Sequence, residues 1–111
     1  HEYLDALAEK EAVKAEFAEI MLDFDALLLP STETPAIPVV EADEGGTPAR
    51  FTRAGNCLDL CALSLPNGMS PDGLPTSLQI ACAGHDEATA LRVGWAYEQA
   101  TDWHTRHPDL G

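Results

Sequence analysis

Positive charge is scarce in this sequence. Six lysines and arginines stand against nineteen aspartates and glutamates, and the net charge of −13 repels a polyanion, which excludes a nucleic-acid backbone as a direct partner. Long apolar runs are missing too: none approaches the roughly 20 residues that a membrane-spanning helix needs, so a soluble chain with no membrane contact is expected. The first residues hold neither the basic start nor the apolar run of a secretory signal. Cysteine is limited to Cys57, Cys61 and Cys82. An odd number without a dense framework fits free thiols in a reducing cytosol, and a cytoplasmic location is the expectation. Cys57 and Cys61 have a C-x3-C spacing, but no second pair or nearby histidine completes four ligands, so buried thiols rather than a zinc site are expected.

Signatures of chemistry are equally thin. No Gly-rich phosphate loop, no G-x-G-x-x-G after a strand and no basic stripe interleaved with aromatics is present. Serine hydrolysis needs a nucleophilic hydroxyl, a base to take its proton and donors for the oxyanion. Ser31, Ser64, Ser70 and Ser77 all lie outside a G-x-S-x-G elbow or similar Gly-rich turn. Ser64 and Ser77 fall in strand-like runs, where an inward hydroxyl paired to backbone is the ordinary outcome. Lys10 and Lys14 are the only lysines, both on an acidic helix where a solvated amine is expected. His104 and His107 form an H-x-x-H pair, which dipole and capping effects at a helix C-terminus explain without a metal. Motif chemistry therefore predicts no catalytic residue, no metal site and no cofactor in this chain.

What the chain does hold is a regular alternation of elements. Residues 2–23 are rich in Ala, Glu, Leu and Lys, and Val13, Phe17, Ile20 and Phe24 recur at helical spacing, which predicts an amphipathic helix. The run Ala26–Leu29, stopped by Pro30, reads as a buried strand. From Pro30 to Pro48, prolines and the Gly45-Gly46 pair without apolar periodicity predict a long loop that covers or wraps something. Phe51–Leu60 suits a short helix, Ala62–Leu65 a strand ended by Pro66-Asn67-Gly68, and Thr76–Ala83 a third strand. Ser70-Pro71-Asp72-Gly73 has turn chemistry, so the last two strands are expected to form a hairpin. Asp86 is placed to cap a helix running to Trp103, with Leu91, Trp95 and Trp103 along its apolar side and Pro108 limiting its extent. The order predicts a layered α/β piece. A chain of 111 residues with 45% apolar content has a marginal core, and a segment cut from a larger sheet would show the same composition. Its opening at His1, directly into helical sequence, hints at such a cut.

The central run adds a resemblance. Phe51-Thr52-Arg53, Asn56, then Ala62-Leu63-Ser64-Leu65-Pro66-Asn67-Gly68, Gly73-Leu74-Pro75 and Ser77-Leu78-Gln79 together resemble the C-terminal signature of amidase-signature hydrolases. Phe24-Asp25-Ala26-Leu27-Leu28-Leu29-Pro30 resembles the strand before the family's proline-rich loop, and residues 86–104 resemble its final helix. The likeness spans residues 24–108. It implies an α/β fold with a mixed β-sheet flanked by helices, of which residues 1–111 are a C-terminal fragment of a single amidase domain, the N-terminal catalytic portion being absent. It implies hydrolysis of the carbon–nitrogen bond of a small amide through a Ser-Ser-Lys acyl-enzyme, without a cofactor. The three catalytic residues belong to an earlier part of the family's chain, so this piece alone is expected to be inactive. Its expected contribution is a pocket wall from Ala49 to Asn56, lined by Phe51, Thr52, Arg53 and Asn56.

Within the family, the resemblance extends to small-amide and fatty-amide hydrolases, allophanate hydrolases and the A subunit of the tRNA-dependent amidotransferase. In the last of these, an Asp seven positions before the motif's Asn holds the glutamine amino group. That position here is Ala49. The usual Gly and Pro of the Asn-initiated motif are replaced by Asp59 and Cys61. Leu58-Asp59-Leu60-Cys61-Ala62 is similar to allophanate hydrolases and Ser77-Leu78-Gln79 to general amidases, and the general amidase is favoured. The competing class is a free-standing acidic α/β binding module, which needs none of the catalytic parts. Expected partners are the missing N-terminal portion, a small amide substrate in the full enzyme, and further copies of the chain through strands apolar enough to be buried on both faces.

Overall fold

The structure is a computed structural model that describes residues 1–43, 45, 46 and 48–107. Its elements run α1 (Glu2–Met21), β1 (Leu27–Pro30), a 3-10 turn at Val39–Glu41, α2 (Arg53–Cys57), β2 (Cys61–Met69), β3 (Pro75–Cys82), α3 (Glu87–Ala100) and a 3-10 turn at Trp103–Thr105. The class is α/β, as the alternation predicts. Pro108 lies outside the described residues.

The sheet has the order β1-β3-β2, with both pairings antiparallel. Just beyond β1, the Ser31 N–H donates to the Ser77 carbonyl at 3.1 Å. Antiparallel bonding alternates along a strand, so odd-numbered residues of β3 bond toward β1 and even-numbered ones toward β2. Pro30 faces Leu78 and Pro66 faces Ser77; each falls at a position whose N–H would point away from β3. The two prolines therefore sit on edge strands without costing a ladder bond. This is why Pro66 does not end β2, contrary to the sequence expectation. A bulge between Pro66 and Gly68 absorbs Asn67, whose Oδ1 accepts from the Thr76 hydroxyl at 2.8 Å, and pairing continues to Met69. The hairpin closes as its turn residues predict. Gly73 has φ of 77°, its N–H donates to Ser70 O at 2.9 Å, and Ser70 N–H donates to Leu74 O at 2.8 Å.

One face of the sheet packs against α3. Leu65, Ile80, Cys82 and Ala90 form the core, with Leu63, Leu78, Val93 and Tyr97 packed around them. Asp86 caps the helix as expected, accepting from the Thr89 N–H at 3.3 Å. The inward stripe of α3 differs from the predicted one. Leu91 and Trp95 are 61% and 65% exposed, and the helix turns its small residues Ala90 and Gly94 to the sheet. Close approach decides this: a Cβ on Gly94 would lie 2.5 Å from Leu63 Cδ2 and 3.1 Å from Leu65 Cδ1. α1 is likewise rotated from the predicted stripe. Val13, Ile20 and the following Phe24 are exposed, and Lys14, Phe17 and Met21 turn toward Leu58, Leu60, Ala83 and Gly84. Burial on both faces is confined to the centre of the sheet, where Gln79, Ile80, Ala81 and Cys82 are all enclosed; β1 and β2 alternate instead and leave Leu28, Ala62 and Ser64 exposed. The cysteines also separate: Cys57 at the end of α2 is exposed, Cys61 opens β2 opposite the buried Cys82, and only Cys82 is fully enclosed.

Candidate functional site

The second face of the sheet carries the odd-numbered side chains of β3. Leu29, Gln79 and Ser64 lie in one register row across the three strands. Gln79 is 6% exposed, and its Nε2 donates to the backbone carbonyl of Phe51 at 3.0 Å. The segment it reaches is folded on itself. Ala49 O accepts from the N–H groups of Thr52 and Arg53 at 3.2 and 2.8 Å, and from the Thr52 hydroxyl at 3.4 Å. α2 then runs for a turn and a half. Its end is a Schellman arrangement in which Leu60 N–H donates to Gly55 O at 2.9 Å and Asp59 takes the left-handed position at φ 53°.

Phe51, Thr52, Arg53 and Asn56 are thus gathered on one short stretch held to the second face of the sheet at Gln79. Phe51 and Thr52 are half-buried; Arg53 and Asn56 are exposed. Arg50 stands 6.0 Å from the centroid of the Phe51 ring and pairs with Glu33 of the proline-rich loop at 2.9 Å, which ties that loop to the same stretch. The loop itself curls round a cleft of about 470 Å³ lined by Thr34, Pro35, Ile37, Ala42, Asp43 and Pro48.

Two further polar contacts were not legible in the sequence. Ser64, expected to bond to backbone, instead pairs through its hydroxyl with that of the buried Ser31 at 2.8 Å. Ser31 follows β1 and Ser64 lies on β2, the two edge strands, and only the tertiary fold brings their side chains, 33 positions apart, together across β3. Lys14 is not simply solvated: its amine donates to the carboxylate of Asp59 and to Glu11 at 3.4 Å. The Asp59 hydrogen bond, foremost, raises the Lys14 pKa above its ordinary value, and the same bond lowers that of Asp59. An amine held protonated in this way is no base for the serine pair. At the other end of the chain, Arg106, between His104 and His107, pairs with both carboxylate oxygens of Asp102 at 3.1 and 3.0 Å and stacks 4.0 Å from the Trp103 ring. No group of three or more His, Cys, Asp or Glu side chains suited to a metal ion occurs among the described residues, and no described helix is long and apolar enough to cross a membrane.

The family model described as Amidase matches residues 1–91. The chain belongs to the amidase family. A similar relative is the A subunit of the glutamyl-tRNA(Gln) amidotransferase of Clostridium botulinum (strain Eklund 17B / Type B), 38% identical over 112 residues that cover 97% of this chain and 23% of the relative. An amidase from Pseudomonas putida is 37% identical over 121 residues, covering 98% of this chain and 25% of that protein. Among solved structures, 6-aminohexanoate cyclic dimer hydrolase matches 97% of this chain and 26% of its own with a TM-score of 0.77 and 27% identity. The chain spans about a quarter of the length of these relatives and corresponds to the C-terminal part of amidase-family proteins. The Phe51–Asn56 stretch and β3 meet where Gln79 donates to the Phe51 carbonyl.

Proposed function

We propose that this chain is the C-terminal portion of a single amidase domain that hydrolyses the carbon–nitrogen bond of a small neutral amide, and that it supplies one wall of the substrate pocket. The Ser-Ser-Lys machinery belongs to the N-terminal portion of the same enzyme, which is the chain's principal partner. There, the Lys acts through the bridging Ser as base, the second Ser attacks the carbonyl, the C–N bond breaks as the amine leaves with the proton taken from that Ser, and water hydrolyses the acyl-enzyme to release the acid. The observation that carries the reading is the stretch from Ala49 to Asn56, pinned to the sheet at Phe51, with Phe51 and Thr52 half-buried and Arg53 and Asn56 facing outward. Position 49 decides the substrate class. A methyl group there offers no partner to an ammonium, so an amino-bearing substrate would bury a charge without compensation.

The amidotransferase reading is the second one, favoured by the 38% identity to the Clostridium botulinum protein. One experiment separates them. In the enzyme carrying this chain together with the Ser-Ser-Lys segment, a neutral aliphatic or aryl amide should outcompete glutamine in kcat/KM. Ala49→Asp should shift that ratio toward amino-bearing amides by roughly ten- to a hundredfold, the worth of a hydrogen bond to a charged group. Efficient hydrolysis of glutamine by the unmodified enzyme would establish the amidotransferase reading instead.

A further inference from the structure

Gln79 is a long polar side chain at the centre of a sheet, enclosed on the face opposite α3. Ala81 follows it on that face of β3, Leu29 stands beside it on β1, and Ala62 and Ser64 lie on β2. Nothing in the packing there calls for an amide. What the amide does is reach across 28 positions to the Phe51 carbonyl at 3.0 Å. The other backbone bonds of the stretch from Ala49 to Leu60 are local, Thr52 and Arg53 to Ala49, Leu58 to Ala54, Leu60 to Gly55, and its longer-range side-chain bonds run from Arg50 to Glu33 in the proline-rich loop and from Lys14 on α1 to Asp59. None of these bonds reaches a strand, whereas Gln79 joins the stretch to the sheet itself.

We propose that Gln79 is a positioning residue that sets the height of the Ala49–Asn56 wall above the sheet and, through it, the distance at which residue 49 meets a substrate. A wall carried by a short loop and a helix of a turn and a half has little stability of its own, and a tether from the most buried strand lends it the rigidity of the core. Removing the donor leaves a half-buried carbonyl unpaired, and the stretch relieves this only by lifting toward water. The consequence for substrate rests on the amidase reading above; the tether itself does not.

Two measurements test this separately. In the 111-residue chain, Gln79→Met keeps side-chain length without the donor, and amide hydrogen exchange of Thr52–Cys57 should accelerate by about tenfold, the usual worth of one hydrogen bond, with α3 unaffected. Unchanged exchange in that stretch overturns the tether. In the complete enzyme the same variant should raise KM for a neutral amide by about tenfold with kcat within about twofold, and should abolish the substrate shift produced by Ala49→Asp. Equal losses for every substrate, with no coupling to position 49, overturn the specificity role. Gln79→Glu guards against a folding defect: a protonated carboxyl donates to the carbonyl and a carboxylate does not, so KM should recover as pH falls. A pH-independent defect in that variant counts against the proposal. Absence of any amide turnover in the unmodified enzyme would refute the amidase reading while leaving the exchange result to decide the tether.

Discussion

The amine of Lys14 meets the carboxylate of Asp59, and Asp59 is held in the left-handed region at φ 53°. The conformation is what a glycine adopts without cost after a helix C-terminus, and glycine is the usual occupant of this place in the motif that the sequence resembles. Aspartate tolerates the left-handed region better than most residues. Its carboxylate then serves as the anchor for α1, whose Phe17 and Met21 face Leu58, Leu60, Ala83 and Gly84 across a cleft of about 290 Å³.

The pair has a defined pH window. Lys14 is raised above its ordinary 10.5, so its contribution is complete below that value and is lost as pH rises through the raised one. Asp59 is lowered from 3.8, so its contribution is complete above that value and is lost as pH falls through the lowered one. Stability conferred by the pair is therefore flat through neutrality and falls away at both extremes. Asp59→Asn, which keeps tolerance of the left-handed backbone, should remove that dependence. Asp59→Ala should be less stable than Asp59→Asn at every pH, and Lys14→Met should abolish the difference between wild type and Asp59→Asn. Urea midpoints across pH measure all of these.

The hairpin turn offers a backbone test. A Cβ at Gly73 meets nothing within 4 Å, so any cost of substitution there comes from its φ of 77° and not from crowding. Gly73→Val should lose about 1–2 kcal/mol, and Gly73→Asn distinctly less. Equal urea midpoints for the two variants would show that the turn relaxes to another conformation.

Purified alone, the chain should turn over no amide. Ser31 and Ser64 hydrogen-bond to each other, and Lys14 is held as an ammonium by Asp59. The measurement is release of ammonia or amine from simple aryl and alkyl amides. Turnover abolished by Ser31→Ala or Ser64→Ala would contradict the assignment of catalysis to another part of the enzyme.

Self-association is expected through the outer side of α3. Leu91 and Trp95 stand one turn apart, 61% and 65% exposed, and together they uncover apolar area that water penalises at roughly 25 cal/mol per Å². The charge of −13 opposes contact, but salt screens exposed charges beyond about 8 Å. Sedimentation should therefore show larger species at physiological salt, and Leu91→Ser with Trp95→Glu should shift the population toward monomer. Unfolding midpoints should stay within about 0.5 kcal/mol, because neither side chain supports the core. A wild-type monomer across a wide concentration range would favour the independent-module reading.

Much of the fold was legible because it depends on short-range chemistry. Helix-forming composition predicted α1, the Asp86 cap predicted the start of α3, and Pro71 with Gly73 predicted the turn that pairs β2 with β3. The motif from Phe51 to Asn56 likewise marked one continuous stretch, and contiguity alone keeps its residues together. Which side of each helix turns inward was not legible. Apolar count pointed to Leu91 and Trp95, whereas the sheet accepts Ala90 and Gly94 because Leu63 and Leu65 leave room for nothing larger.

The remaining features depend on distance in space between residues far apart in the chain. Pro66 looked like a strand end until the phase of hydrogen bonding placed its missing N–H on the open edge. Ser31 with Ser64, Lys14 with Asp59, and Gln79 with Phe51 are separated by 33, 45 and 28 positions, and no local preference encodes such partners. Composition and turn chemistry act over a few residues and were enough for elements, their order and the family motif. Pairings across the sheet follow from register and close packing, which set where the polar face lies, what pins the Phe51 stretch to it, and why Lys14 is an anchor and not a base.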